Sequence, residues 1–374
     1  MLAVGLGVTS LPVLAAPWFP RLLSRAGDQG PLLDPADLPS LFQDAAGTTP
    51  VTAPGQSVGL VLDKSKGLVL GPETQASGWT NSNFGVFSTS GIAVTFQKTV
   101  AGGTDQAYSG AVFSVVAGKL YEITLNVTSI TAPFAVCLAH ITNSRSLLVD
   151  VTSVGVKKIY LSPQFTQTVN LNFRTTTLNG GGTVSSASVR ELTGFHATQS
   201  ASSGFRPAYQ TTPQRLNFDG SDDRLNFAYN PTASGSLAVR INGATASRVA
   251  IGSQGATDGR CFLALASDGS LGAGIGAQST ATIKGSTDIR GTWTTGVVTW
   301  DGTTVRLYQN GTEVYSGAQS GAVNTTVPMD LGCLNNNGTR AAFWSGGIGA
   351  AIALGRVMTP TEVSSLHQLW SNIA

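Results

Sequence analysis

The stretch from Gly296 to Tyr315, GVVTWDGTTVRLYQNGTEVY, constrains this chain most, because it carries two turn signals one strand apart. Asp301-Gly302 and Asn310-Gly311 are each a pair that tolerates φ > 0 at both central positions, as a type I′ hairpin turn demands. Pairing outward from those turns sets Trp300 against Thr303, Val298 against Val305 and Leu307 against Val314. Val298, Trp300, Val305, Leu307 and Val314 then share one apolar face. Thr299, Thr304, Arg306, Tyr308, Glu313 and Tyr315 fall on the other, the pattern of an antiparallel sheet with one wet side.

The rest of the chain has the same character. Only 11% of its 374 residues are charged, 45 are glycine, and apolar residues alternate instead of recurring at helical spacing. That is the composition of an all-β protein, and the length suits two domains. With 22 basic and 20 acidic residues the net charge is +2, and no basic stripe stands ready to neutralise phosphates, so nucleic acid is set aside as a partner. Cys137, Cys261 and Cys333 are far apart in apolar runs and read as core thiols; no CxxC pair offers a redox motif or zinc ribbon.

Met1 to Ala16 is apolar but lacks the basic n-region of a secretory signal, and its run is too short for the roughly 20 residues of a membrane span. The expectation is an uncleaved arm, residues 1–30, with no membrane insertion. Trp18, Phe19, Arg21 and Arg25 within PWFPRLLSRAGDQG are its docking residues for a partner surface.

The run LFQDAAGTTPVTAPGQSVGLVLDKSKG, from Leu41, resembles a segment of tailed-bacteriophage virion proteins. DPADLPSLFQD followed by VGLVLDKS resembles the opening of concanavalin-A-like (laminin-G-like) lectin jelly rolls. The later pieces of that pattern follow at a distance: His196-Ala197-Thr198-Gln199, Arg206-Pro207, and Phe218-Asp219-Gly220-Ser221-Asp222-Asp223. The strand GGIGAAIALGRV and the helix start Thr359-Pro360-Thr361-Glu362 resemble the end of the same group. On its own chemistry that start is a capping box, with Thr359 at N-cap, Pro360 at N1, Glu362 at N3, and Val363, Leu366 and Trp370 on one helix face. Between the two halves lie eight short alternating segments from Ile92 to Glu191, a second β-sandwich. Its start, GPETQASGWTNSNFGVF, and its end, SASVREL, resemble carbohydrate-binding-module-like jelly rolls.

The expected architecture is therefore all-β: two β-sandwich (jelly-roll) domains, one inserted in the other, with an extended N-terminal arm and a short C-terminal helix. The boundaries are 1–30 for the arm, 31–68 with 194–374 for the lectin jelly roll, and 69–193 for the insert. Further strands are expected at Ser236 to Ile241, Ser247 to Ile251, Cys261 to Ala266, Gly272 to Ile275 and Thr280 to Ile283.

A glycan-cleaving enzyme needs two carboxylates facing across a cleft. The aspartates here sit beside glycines in turns, where they stabilise the turn itself, so no catalytic residue and no cofactor is assigned. Asp219, Asp222 and Asp223 are the one calcium candidate, although a single loop supplies few of the six to eight oxygens that ion takes. Trp79 and Trp344 with Asn335 and Asn336 are the glycan-binding candidates. What the resemblance implies is a virion structural protein of head or tail, docked through its arm on other virion proteins and presenting lectin-like domains to host glycan, with homo-oligomerisation left open. The alternatives are a secreted or surface glycan-binding module of a bacterium, with Met1 to Ala16 as its signal, and a capsule-degrading glycosidase.

Overall fold

The computed structural model describes residues 30–66, 68–140, 145–257 and 259–372. Trp18, Phe19, Arg21 and Arg25 lie outside the described residues. The chain is built almost entirely of antiparallel strands in four sheets, with one α-helix, Pro360–Ser371, among the described residues.

Two sheets close one sandwich. The first places Ser345–Leu354 at its centre, flanked by Gln214–Asp219 and Gly235–Gly243, and continues through Thr294–Trp300, Thr304–Gln309 and Thr312–Ala318. The glycines and alanines of Ser345–Leu354 suit this place: a Cβ on Gly346 would meet the Asn242 carbonyl oxygen at 2.2 Å. The facing sheet contains Leu225–Phe227, Met329–Leu331, Val249–Gln254, Arg260–Leu265 and Ser270–Gly276. Leu60–Val61, from far upstream, lies in that second sheet between Leu41–Phe42 and Ala197–Thr198. Trp300, Trp344, Phe218, Phe227, Leu263 and Ile348 fill the space between the sheets.

The meander shows how a register can move without exposing its core. Trp300 pairs with Val305 and Val298 with Leu307, a shift of two residues from the expected pairing. Gly302 alone takes φ > 0 (+89°), so the turn is not type I′, and the Asp301 carboxylate accepts from the Thr303 and Thr304 amides at 2.8 and 2.7 Å. A two-residue shift preserves faces because side chains alternate with period 2, so all four side chains stay buried. The Asn310-Gly311 turn has φ > 0 at both positions, as type I′ requires. Beyond it a bulge at Val314 changes the parity: Val314 is exposed, and Tyr315 instead pairs with Leu307 and packs on the core. Tyr308 is not on a wet face either. The helix covers it, packing Val363, Leu366 and Trp370 on Ala238, Val297, Tyr308 and Ile352. The capping box forms as the sequence predicts, the Thr359 hydroxyl accepting from the Glu362 amide and the Glu362 carboxylate from the Thr359 amide. Thr280 to Ile283 is a turn instead of a strand, because the Ser279 carbonyl accepts from both the Thr282 and Ile283 amides.

The other sandwich is formed by residues between Thr74 and Leu192. Its five-stranded sheet runs Val149–Val151, Phe134–Ala139, Gln167–Thr175, Asp105–Val115, Thr80–Ser82; its six-stranded sheet centres on Leu120–Ala132 and Gly181–Leu192. Phe96, Phe134 and Phe173 meet in stacked and edge-on pairs at 5.0 to 5.5 Å between ring centroids.

The two sandwiches meet through Leu60, Leu62, Leu120, Tyr160 and Leu192, and the Tyr160 amide donates to the Ala46 carbonyl at 2.6 Å. Beside this contact the fully buried Asp63 carboxylate accepts from the amides of Leu32, Ser65 and Phe195, each at 2.8 Å. The Asp63 amide in turn donates to His196 Nδ1 at 2.9 Å, so Nε2 carries the proton and donates to the Leu192 carbonyl. Burial holds this imidazole below its ordinary pKa, with the nearby Asp63 carboxylate opposing.

Candidate functional site

The residues singled out as glycan platforms do not form one. Trp344 is fully buried in the larger core, and Trp79 stacks on Phe173 at 4.8 Å inside the smaller one, its Nε1 donating to the Ile92 carbonyl. Neither indole offers an open face to a sugar. Asn335 is buried and spent on its own hairpin, donating to the Pro328 carbonyl at 2.8 Å and accepting from the Gly338 amide at 2.9 Å. Asn336 is exposed at the tip of that hairpin, apart from any aromatic partner in a defined contact.

Asp219, Asp222 and Asp223 do come together, with carboxylate oxygens within 4.8 Å of one another. They belong to one hairpin turn, not to facing walls of a cleft. Asp219 accepts from the Ser221 and Asp222 amides, which outweigh its partial burial and hold it below the usual carboxylate range. Asp223 accepts from the Asp219 amide, yet burial pushes its carboxyl up to about 6, the charges of Asp219 and Asp222 adding to the rise. Three carboxylates, two already engaged by the turn's amides, are fewer than a calcium ion's usual ligand set.

A second polar cluster lies on the outer side of the larger sandwich. The Asp330 carboxylate, fully buried, receives Arg340 Nε and Asn226 Nδ2, both at 2.7 Å. Its charge is paired and its acceptors are filled, so this cluster holds the Leu334–Asn336 and Thr339–Ala341 hairpin against the sheet.

The smaller sandwich differs. Along Gln167–Thr175, Leu171 and Phe173 point into the core, so Asn170, Asn172 and Arg174 point out. Register extends that face across the sheet. Asn172 stands beside Cys137 on one side and Tyr108 on the other, with Thr80 beyond; Arg174 stands between Ala135 and Gln106, with Asp150 beyond Ala135. Asn172 Nδ2 donates to Gln106 Oε1 at 3.2 Å, and Asn170 Nδ2 donates to the Ser109 carbonyl at 2.6 Å. Asn172 is 5% exposed, and among the described residues its Oδ1 has no hydrogen-bond partner. A buried acceptor without a donor costs about 1–3 kcal/mol, so this oxygen calls for a donor from outside the fold, from water or a ligand hydroxyl. Preorganised amides around a half-buried Tyr108 ring and an arginine supply both hydrogen bonds and an apolar surface, which is what a pyranose presents in complement. Sequence reasoning passed over these residues, although the alternating polar positions of QTVNLNFRT were the signal.

Against this geometry, the family model for the concanavalin A-like lectin/glucanases superfamily matches residues 221–364. The matched residues lie in the larger sandwich and its closing helix. No curated protein matches the chain. Among solved structures, domain 4 of AbnA, an extracellular arabinanase of Geobacillus stearothermophilus in complex with arabinotriose, is 21% identical, with 43% of this chain and 81% of that one covered and a TM-score of 0.34. The CBM40 of a Ruminococcus gnavus IT-sialidase, bound to α2,3-sialyllactose, is 15% identical, covering 41% and 96%, with a TM-score of 0.30. The binding domain of botulinum neurotoxin serotype D is 11% identical, covering 45% and 47%, with a TM-score of 0.32.

Proposed function

We propose that this chain is a non-enzymatic glycan-recognition protein whose sugar-binding face is the outer side of the five-stranded sheet, centred on Asn172. The observation that carries this reading is the unpartnered, buried Oδ1 of Asn172 beside Gln106 and Tyr108. The acids support a non-catalytic role: the cluster Asp219, Asp222 and Asp223 is turn chemistry, and the buried Asp330 is already paired. The test is a glycan array on the whole protein, repeated with Asn172→Ala and Tyr108→Ala. Binding to a defined glycan class that falls about tenfold or more in each variant, with an unchanged melting temperature, is the expected result. Binding that ignores both substitutions sinks the assignment.

The same reading places the protein on a tailed-phage particle, residues 1–30 docking on capsid or tail and both sandwiches standing outward as one lectin jelly roll interrupted by an insert. Its support is the likeness of the Leu41–Gly67 segment to virion proteins. Deleting residues 1–30 is expected to abolish incorporation into particles. A bacterial surface or secreted module fits the sandwiches equally, and the apolar run Met1 to Ala16 is the feature in its favour. A mature protein beginning at Pro17, seen by intact mass, would decide for secretion.

A further inference from the structure

Where the Asn172 face ends, the surface dips into a pocket of about 310 Å³ bordered by Thr104, Pro133, Ala135, Arg145, Arg174 and Thr176. Two features bear on its charge. Among the described residues, no carboxylate lies within ion-pair distance of either guanidinium, whereas Lys119, Arg190, Arg290, Arg306 and Arg340 each have one. The acids nearby do not change this. Asp105 is committed to the buried Lys98 ammonium at 2.6 Å, and Asp150, which also lines the pocket, stands across Ala135 from Arg174 without forming an ion pair with it. The two cations also line one pocket. Burial raises the Cys137 thiol to about 11, and Arg145 and Arg174 both act on that same sulfur in the opposite sense.

Resting on the glycan-binding reading of this face, we propose that it selects acidic saccharides, with a sugar carboxylate seated between Arg145 and Arg174 while the neighbouring ring lies along Asn172 and Tyr108. Arg174 and Asn172 are two residues apart on one strand and share its outward face, about 7 Å apart, close to the span from a pyranose carboxylate to the hydroxyls across its ring. A planar guanidinium matches a carboxylate bidentately, and a pair of them without a carboxylate partner among the described residues leaves that match to the ligand. Pro133 and Leu148 give the pocket apolar walls for the ring's C–H faces.

Calorimetric titration of the whole protein decides the matter, using an oligo-hexuronate and a sialylated oligosaccharide, each beside its neutral counterpart with the carboxyl reduced or the acidic residue removed. One or both acidic ligands are expected to bind at least tenfold more tightly than their counterparts. That advantage should shrink in about 0.5 M salt, where charges are screened over a few ångströms. In the double variant Arg145→Gln, Arg174→Gln it should disappear, so that the acidic and neutral members of each pair bind alike. Equal binding of acidic and neutral ligands, or an advantage that survives the double variant, overturns the proposal but leaves the glycan face standing. Binding of no saccharide at all overturns both. Arg145 is exposed and Arg174 half-buried, so the variants should keep the parent melting temperature, which a thermal scan verifies.

Discussion

The outer faces of the two sandwiches both carry a buried polar side chain, and they treat it in opposite ways. On the larger sandwich Asp330 is enclosed by Arg340 and Asn226, and the hairpin that supplies the arginine closes over it. On the smaller one Asn172 gives its amide protons to Gln106 and leaves its oxygen unmet. Burial alone therefore does not mark a site. A filled polar cluster holds structure together; an unfilled one leaves hydrogen-bonding capacity for a further partner.

Four measurements can break or sharpen that contrast. The largest effect is expected from Asp330→Ala, which strands Arg340 and Asn226: chemical denaturation should show a loss of about 3 kcal/mol, with glycan binding at the other sandwich intact. Asn172→Ala should do the reverse, leaving stability within about 0.5 kcal/mol of the parent, because the deleted acceptor was unsatisfied, while binding is lost. A large destabilisation there would mean that the oxygen has a partner after all. Third comes pH. The unfolded chain protonates His196 at about pH 6.5 while the folded chain, needing Nδ1 as an acceptor, resists. Its contribution to stability is thus full above that pH and is lost as pH falls below it, and His196→Gln should flatten the fall in melting temperature from pH 7 to 5. Asp223 works with the opposite sign. Its carboxyl, raised to about 6, costs stability when ionised, so Asp223→Asn should raise the melting temperature by a few degrees at pH 7, a gain that fades as pH approaches about 4. The smallest effect is Thr359→Ala, which removes half of the capping box and should cost about 1 kcal/mol.

Much of the architecture was legible because local chemistry enforced it. Asn310-Gly311 could hardly form anything but its hairpin, and Thr359 to Glu362 could hardly fail to start a helix. The errors came where a distant partner decided. Tyr308 looked solvent-facing because nothing in its own strand announces a helix arriving from residue 360 onward. Val314 took the wrong face because one bulge reverses every assignment beyond it. The site was harder still. Trp79 sits among polar residues, ASGWTNSN, and Trp344 before a Ser-Gly-Gly run, AAFWSGG, which hid their burial, whereas Asn172 belonged to a strand that read as ordinary alternation. Its meaning rests on Tyr108 and Gln106, some sixty residues earlier, and no periodicity within one strand points to them.

The seam between the sandwiches has a mechanical consequence. The chain leaves the larger body and returns to it side by side, Leu70 bridging to Leu192 and Gly71 donating to the Glu191 carbonyl. A module on a single linker can swivel freely; one gripped at both of its ends cannot rotate without twisting two connectors at once. The outer face around Asn172 therefore turns only together with the larger sandwich, and whatever fixes the orientation of one body fixes the aim of the other.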